Sequence, residues 1–145
     1  MSIEKWVGVV VPVRNRIERT QRFLEQFSRQ DHPHYRLYFV DSNSTDGTRA
    51  WLEQIKGPRL TWIEAGDEDY WTGATNRGIE QALRDGCEFA LTINDDSVPS
   101  TDLLSRLLKA QAAHDHDILA GCGNTQQPSP RPSGVMRYQR STSTT

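Results

Sequence analysis

Residues Trp6–Val13, WVGVVVPV, are apolar almost without interruption and rich in β-branched side chains. A strand with one solvated face alternates apolar with polar residues, whereas a strand covered on both faces reads as a continuous run. Such a run calls for a sheet held between two layers, the usual setting of parallel strands. Similar segments recur as YRLYFVD (Tyr35–Asp41), RLTWIEA (Arg59–Ala65), CEFALTI (Cys87–Ile93) and DILAGCG (Asp117–Gly123). Between them the apolar period becomes helical. Phe23, Leu24 and Phe27 share a face after Glu18. Ala50, Trp51, Leu52 and Ile55 mark a short helix, with N-cap candidates in Ser44, Thr45 and Asp46 and a stop at Gly57-Pro58. An acidic loop, Gly66 to Tyr70, precedes a helix expected from Gly73 to Arg84, closed by Asp85-Gly86. A last helix, from about Ser100 to Ala113, aligns Leu103, Leu104, Leu107 and Leu108. Strands alternating with helices predict βαβ units with right-handed crossovers. The expected class is α/β: a mainly parallel, doubly wound, Rossmann-like sheet with helices on both faces.

The 145 residues suit one domain, expected over residues 1–123. After Gly123 the segment NTQQPSPRPSGVMRYQRSTSTT has no Asp or Glu and little apolar content, so residues 124–145 read as an extended or disordered tail. A formal net charge of −2 gives no footprint for nucleic acid. A mean hydropathy of −0.70, with no apolar run long enough to span a bilayer, excludes a membrane span. The opening MSIEKW is not that of a signal peptide. Cys87 and Cys122 sit at the edges of apolar runs and read as buried free thiols, which places the chain in a reducing cytoplasm. A disulfide between them stays geometrically open.

Open parallel sheets bind ligands beyond the carboxyl ends of their strands. The first strand delivers Pro12, Val13, Arg14 and Asn15 there, and the second Asp41. The third delivers Glu64 and the loop Asp67-Glu68-Asp69, and the fourth Asn94-Asp95-Asp96. Adjacent carboxylates repel each other and disfavour joint ionisation. A divalent cation removes that conflict. Mg²⁺ typically takes one or two carboxylates and completes its shell with waters and substrate phosphates, and Mn²⁺ accepts the same oxygens. The first strand-to-helix turn has no glycine-rich phosphate loop, which argues against P-loop and dinucleotide sites. Arg14 could instead form an ion pair with Asp41. Trp51 and Trp62 read as core, Trp71 as core or as a wall of a sugar pocket. The pairs His32/His34 and His114/His116 read as surface residues.

Four segments in order, VVVPVRNR, FVDSNSTDGT, WTGATNRGIEQAL and LTINDDSVPSTDLLSRL, resemble the N-terminal half of family 2 glycosyltransferases of the GT-A fold, rhamnosyltransferase-like members most closely. The resemblance covers about Trp6 to Gly123. It implies that Pro12, Val13 and Arg14 line the nucleobase pocket and that Asp41 binds the base or ribose. It also implies that the turn with Gly73 and Asn76 closes over the nucleotide-sugar. Asn94-Asp95-Asp96 stands at the family's DXD element, with Asn94 and Asp95 near ribose or sugar, and Asp96, with Asp95, at a divalent Mn or Mg ion bridging the diphosphate. The implied partners are a nucleotide-diphosphate sugar and an unidentified acceptor. Arg14 replaces a frequent aromatic, and Asn94 replaces the first Asp. The family's general base comes from its C-terminal half, and the last carboxylate here is Asp117. The catalytic base is therefore expected to be absent, and the fold to be truncated before the acceptor-binding half, with self-association a way to cover that side. A catalytically silent nucleotide-binding or assembly module and a nucleotidyltransferase are the competing readings.

Overall fold

A computed structural model describes residues 5–114, 118–121 and 133–137. The elements are β1 (Val7–Val13), α1 (Ile17–Phe27), β2 (Tyr35–Ser42), α2 (Thr48–Ile55) and β3 (Leu60–Ala65), then a 3-10 turn (Asp67–Asp69). They continue with α3 (Tyr70–Arg84), β4 (Phe89–Thr92), α4 (Leu103–His114), β5 (Ile118–Gly121) and β6 (Ser133–Arg137). The sheet order is β3-β2-β1-β4-β6-β5. β3, β2, β1 and β4 run parallel, and β6 is antiparallel to both β4 and β5. The chain thus steps outward from β1 to β3, returns through α3, and resumes on the other side of β1 with β4. That reversal opens a crevice between the ends of β1 and β4.

The uninterrupted apolar character of β1 follows from its two coverings. Val7, Val9, Val11 and Val13 pack with Phe23, Phe27, Leu52 and Leu104, brought by α1, α2 and α4. Val10 faces the opposite layer with Tyr38, Val40, Ala74, Ile79 and Ala82, the last three from α3. On that side small residues let helix and sheet approach closely. A Cβ at Gly78 would lie 2.3 Å from a Val10 methyl, and one at Gly8 2.4 Å from the Ala82 Cβ. The Tyr38 hydroxyl, buried beneath α3, donates to Asp85 Oδ2 at 2.8 Å just past the helix end.

Two elements differ from the sequence-based expectation. α3 starts at Tyr70 and not at Gly73, because the acidic segment folds into a turn. There Asp69 accepts the Gly66 N–H at 2.7 Å and the Arg77 Nε–H at 3.0 Å, which ties the turn to the helix. Residues Ser133–Arg137, in the segment with no expected strand, form β6 between β4 and β5. SGVMR carries no strand signal of its own and gains its ladder only from distant partners. Residues 124–132 and 138–145 of the expected tail, with Cys122 and His116, lie outside the described residues.

Overpacking the α3–β1 contact has a definite expected outcome. Gly78→Ala forces its methyl against Val10 and is expected to lower stability by about 1–3 kcal/mol in urea unfolding. Gly57→Ala, with nothing within 4 Å of the added Cβ, is expected to stay within about 0.5 kcal/mol of wild type. Equal behaviour of the two variants would contradict the close approach.

Candidate functional site at the strand-order reversal

The crevice at the reversal has a volume of about 470 Å³, within the range of small-molecule sites. Its walls come from Pro12, Val13 and Arg14 at the end of β1 and Asn94, Asp95 and Asp96 after β4. Arg16, Ser42, Asp67 and Trp71 complete it. Four sequence-distant segments therefore meet at one place, because parallel strands all point their carboxyl ends to the same edge.

The loops leaving β1 and β2 are locked to each other. The Asn15 N–H donates to Ser44 Oγ at 2.9 Å, and the Thr45 N–H donates to Asn15 Oδ1 at 2.6 Å. Asp46 accepts the Ile17 N–H at 3.0 Å and the Thr48 N–H at 3.2 Å, so one carboxylate serves the starts of α1 and α2 together. Asn15 and Asn43 hold left-handed backbone, with φ of 49° and 56°, a conformation asparagine tolerates better than most residues.

Asp41 is fully buried, at 0% exposure. Its Oδ2 accepts Arg49 Nε–H at 2.6 Å and the Ser44 N–H at 3.2 Å. Arg49 also reaches Glu64 at 3.1 Å and lies over the Trp62 ring at 5.8 Å. Arg49, not Arg14, is thus the partner of Asp41. Arg14 is exposed and pairs with Asp67 at 3.4 Å. Asp41 Oδ1 and Arg49 Nη2 are buried with no hydrogen-bond partner among the described residues. Sequence reasoning did not single out Arg49. The available signal was an arginine in the first turn of the helix that follows an acid-ended strand.

The three residues of the acidic element have separate surroundings. Asn94 Oδ1 accepts the Trp71 indole N–H at 2.9 Å, which orients a ring that is 53% exposed. Asp95 is 5% exposed; its Oδ2 accepts the Thr20 hydroxyl at 3.2 Å and its Oδ1 lies 3.6 Å from Arg16 Nη1. Asp96 is exposed at the mouth. Burial pushes the Asp95 carboxyl above its ordinary value, with the Thr20 hydroxyl and Arg16 offsetting only part of the shift. Gly73 and Asn76 sit within α3 rather than on a turn. A Cβ at Gly73 would lie 3.0 Å from the Asp69 Cβ, and Asn76 is exposed. Neither lines the crevice; α3 contributes Trp71 instead.

Among the described residues no group of three or more His, Cys, Asp or Glu could by itself hold a metal ion. One open carboxylate beside a buried one suits a hard cation that takes its remaining ligands from water and phosphate. No described helix is long and apolar enough to cross a membrane.

A doubly wound sheet with polar loops gathered at its reversal point is the architecture of GT-A transferases, and solved structures of that class share this fold. The chain belongs to glycosyl transferase family 2, whose model matches residues 8–139. It is similar to S. aureus TarS 1-349, with a TM-score of 0.76 and 19% identity over 91% of this chain and 47% of that one. A TarS 1-349 complex with UDP-GlcNAc gives a TM-score of 0.69 and 20% identity over 91% of this chain and 45% of that one. A mannosyltransferase, PcManGT from Pyrobaculum calidifontis, in complex with GDP-Man and Mn²⁺, gives a TM-score of 0.63 and 24% identity over 85% and 37%. The chain therefore spans less than half the length of these structures. No curated protein matches it by sequence.

Asp41→Ala leaves Arg49 only the exposed Glu64 and is expected to destabilise by about 3 kcal/mol, the low end for breaking a buried pair, because Arg49 keeps that second partner and 31% of its side-chain surface exposed. Glu64→Ala, at a carboxylate 67% exposed, is expected to change stability by less than about 1 kcal/mol. Urea unfolding of both variants measures the contrast. For Asp95 the sign follows from linkage. A carboxyl raised in the folded state contributes stability that is full below its unfolded value and lost as pH rises through its folded value. Asp95→Asn removes that loss, so its melting temperature relative to wild type is expected to climb from about pH 4 toward neutrality. A difference that is flat or falls with pH would overturn this account of Asp95.

Proposed function

We propose that the crevice binds a nucleotide-diphosphate sugar and a divalent cation, as the donor half of a glycosyltransferase. The observation that carries this reading is the meeting of Arg14, Arg16, Trp71 and Asp96 at the β1–β4 reversal. Pro12, Val13 and Arg14 form the base side. Asp41 is fully buried and does not line the crevice, so its share in the base or ribose site runs through the β2 loop that it holds at the Ser44 N–H. The Trp71 ring, aimed by Asn94, offers an apolar face to the sugar. Gly73 and Asn76 act at a distance, through the turn that carries Trp71. Arg16, held near Asp95, presents donors to phosphate oxygens, where a guanidinium fork is well matched.

Asp96, with Asp95 behind it, would hold a Mg²⁺ or Mn²⁺ ion. Such an ion supplies Lewis-acid neutralisation of the charge that develops on the departing diphosphate. Asp95 acts chiefly by anchoring the element to α1, which keeps Asp96 in place without side-chain searching. Base catalysis is assigned to no described residue, and sugar transfer by these 145 residues alone is not part of the proposal.

Thermal unfolding with UDP, GDP and dTDP, each with and without Mn²⁺ or Mg²⁺, tests it. At saturation the preferred nucleotide with metal is expected to raise the melting temperature by roughly 5–10 °C. Asp96→Asn is expected to abolish the metal-dependent part and leave the unliganded melting temperature unchanged. No shift with any nucleotide in either metal would refute the donor-site reading.

A further inference from the structure

A second groove, of about 380 Å³, lies beside the donor crevice and shares Asp95 and Asp96 with it. One wall is α1, through Arg19, Arg22 and Gln26; the other is the loop after β4, through Ser97 and Val98. Val98 is 79% exposed at its rim. Arg19 and Arg22 are three apart in α1 and Arg16 is the residue just before it, all exposed, and side chains three apart in a helix are surface neighbours. They crowd its first turns, where the macrodipole favours anions over cations. Only Glu18 is acidic in the first turn. Arg16 is engaged with Asp95, whereas Arg19 and Arg22 form no direct ion pair among the described residues. Arg16 and, at longer range, Arg19 help to offset the burial of Asp95. The exposed guanidiniums of Arg19 and Arg22 nevertheless line a groove that opens onto the crevice, where they are accessible to an anion.

We infer that this groove is an acceptor subsite for a phosphate-bearing acceptor, with Arg19 and Arg22 clasping the phosphate. The inference rests on the donor reading of the neighbouring crevice. Two guanidinium forks one turn apart match the oxygens of a single phosphate. The groove meets the crevice at Asp95 and Asp96, so a hydroxyl on a molecule held there points toward the place where the sugar–phosphate bond would open. Asp96 would repel the phosphate if it stood alone; its proposed cation and the distance down α1 to Arg22 relieve that repulsion. Val98 gives the uncharged part of the acceptor an apolar contact.

The test uses the full 145-residue chain and NMR titrations that resolve backbone amides and arginine side chains. Nucleotides are titrated first, so failure there counts against the donor reading alone. Glycerol 3-phosphate is then added, with and without the preferred nucleotide at saturation with Mg²⁺, and glycerol serves as the uncharged control. Glycerol 3-phosphate is expected to shift Arg19, Arg22, Ser97 and Val98 whether or not nucleotide is present, and glycerol to shift none of them. The double variant Arg19→Gln/Arg22→Gln, with melting temperature unchanged, is expected to weaken that response by about tenfold or more and to leave nucleotide affinity within about twofold. A parallel titration with phosphatidic acid vesicles distinguishes a lipid-borne from a soluble phosphate, and a response to either source that needs both arginines supports the subsite. Three results would overturn it: no response to either source, a response that nucleotide competes away, or a double variant that loses nucleotide as severely as phosphate.

Discussion

β1 has parallel neighbours on both sides and helices on both faces, and the remaining architecture is arranged around that burial. A strand in this position must satisfy every backbone group through its two ladders, because no water reaches it. It must also present apolar side chains in both directions. Val9, Val10 and Val11 are each fully buried, although they belong to opposite layers. The layer under α3 is closed by the absence of side chains at Gly8 and Gly78 as much as by their presence elsewhere. With β1 held so firmly, its end becomes a rigid platform. The strand order reverses on either side of it, and the crevice is the geometrical consequence.

Charge is distributed around that crevice by unequal burial. Asp41 and Asp95 are enclosed and each has a guanidinium, from Arg49 and Arg16. Asp96 and Asp67 stay at the surface. Buried carboxylates with partners set loop positions, since they resist any movement that would leave a charge unpaired. Exposed ones remain available to a ligand. Two neighbouring acids, Asp95 and Asp96, thereby take different tasks through environment alone.

Much of the fold was legible because its signals are local. Continuous apolar runs located β1 to β4, and helical periodicity located α1 to α4 to within a few residues. Convergence of Arg14 and Asn94-Asp95-Asp96 on one edge followed from strand direction, which a parallel sheet makes common to all. The missed features depend on partners far along the chain. α3 starts early because Asp69 finds both Gly66 and Arg77. β6 exists because two strands offer it ladders. Arg49 could not be preferred over Arg14 as the partner of Asp41, since both stand near the end of β2 in any two-dimensional sketch.

The order of residues by itself determined the α/β class, the alternation of elements and the polar character of the strand ends, because each rests on side-chain periodicity over short windows. Tertiary structure alone decided which acids are buried, which arginine meets which carboxylate, and which residue of α3 faces the crevice. Those outcomes turn on differences of an ångström or two between competing partners, and only the packing of α3 and the loops against a fixed sheet sets distances that fine.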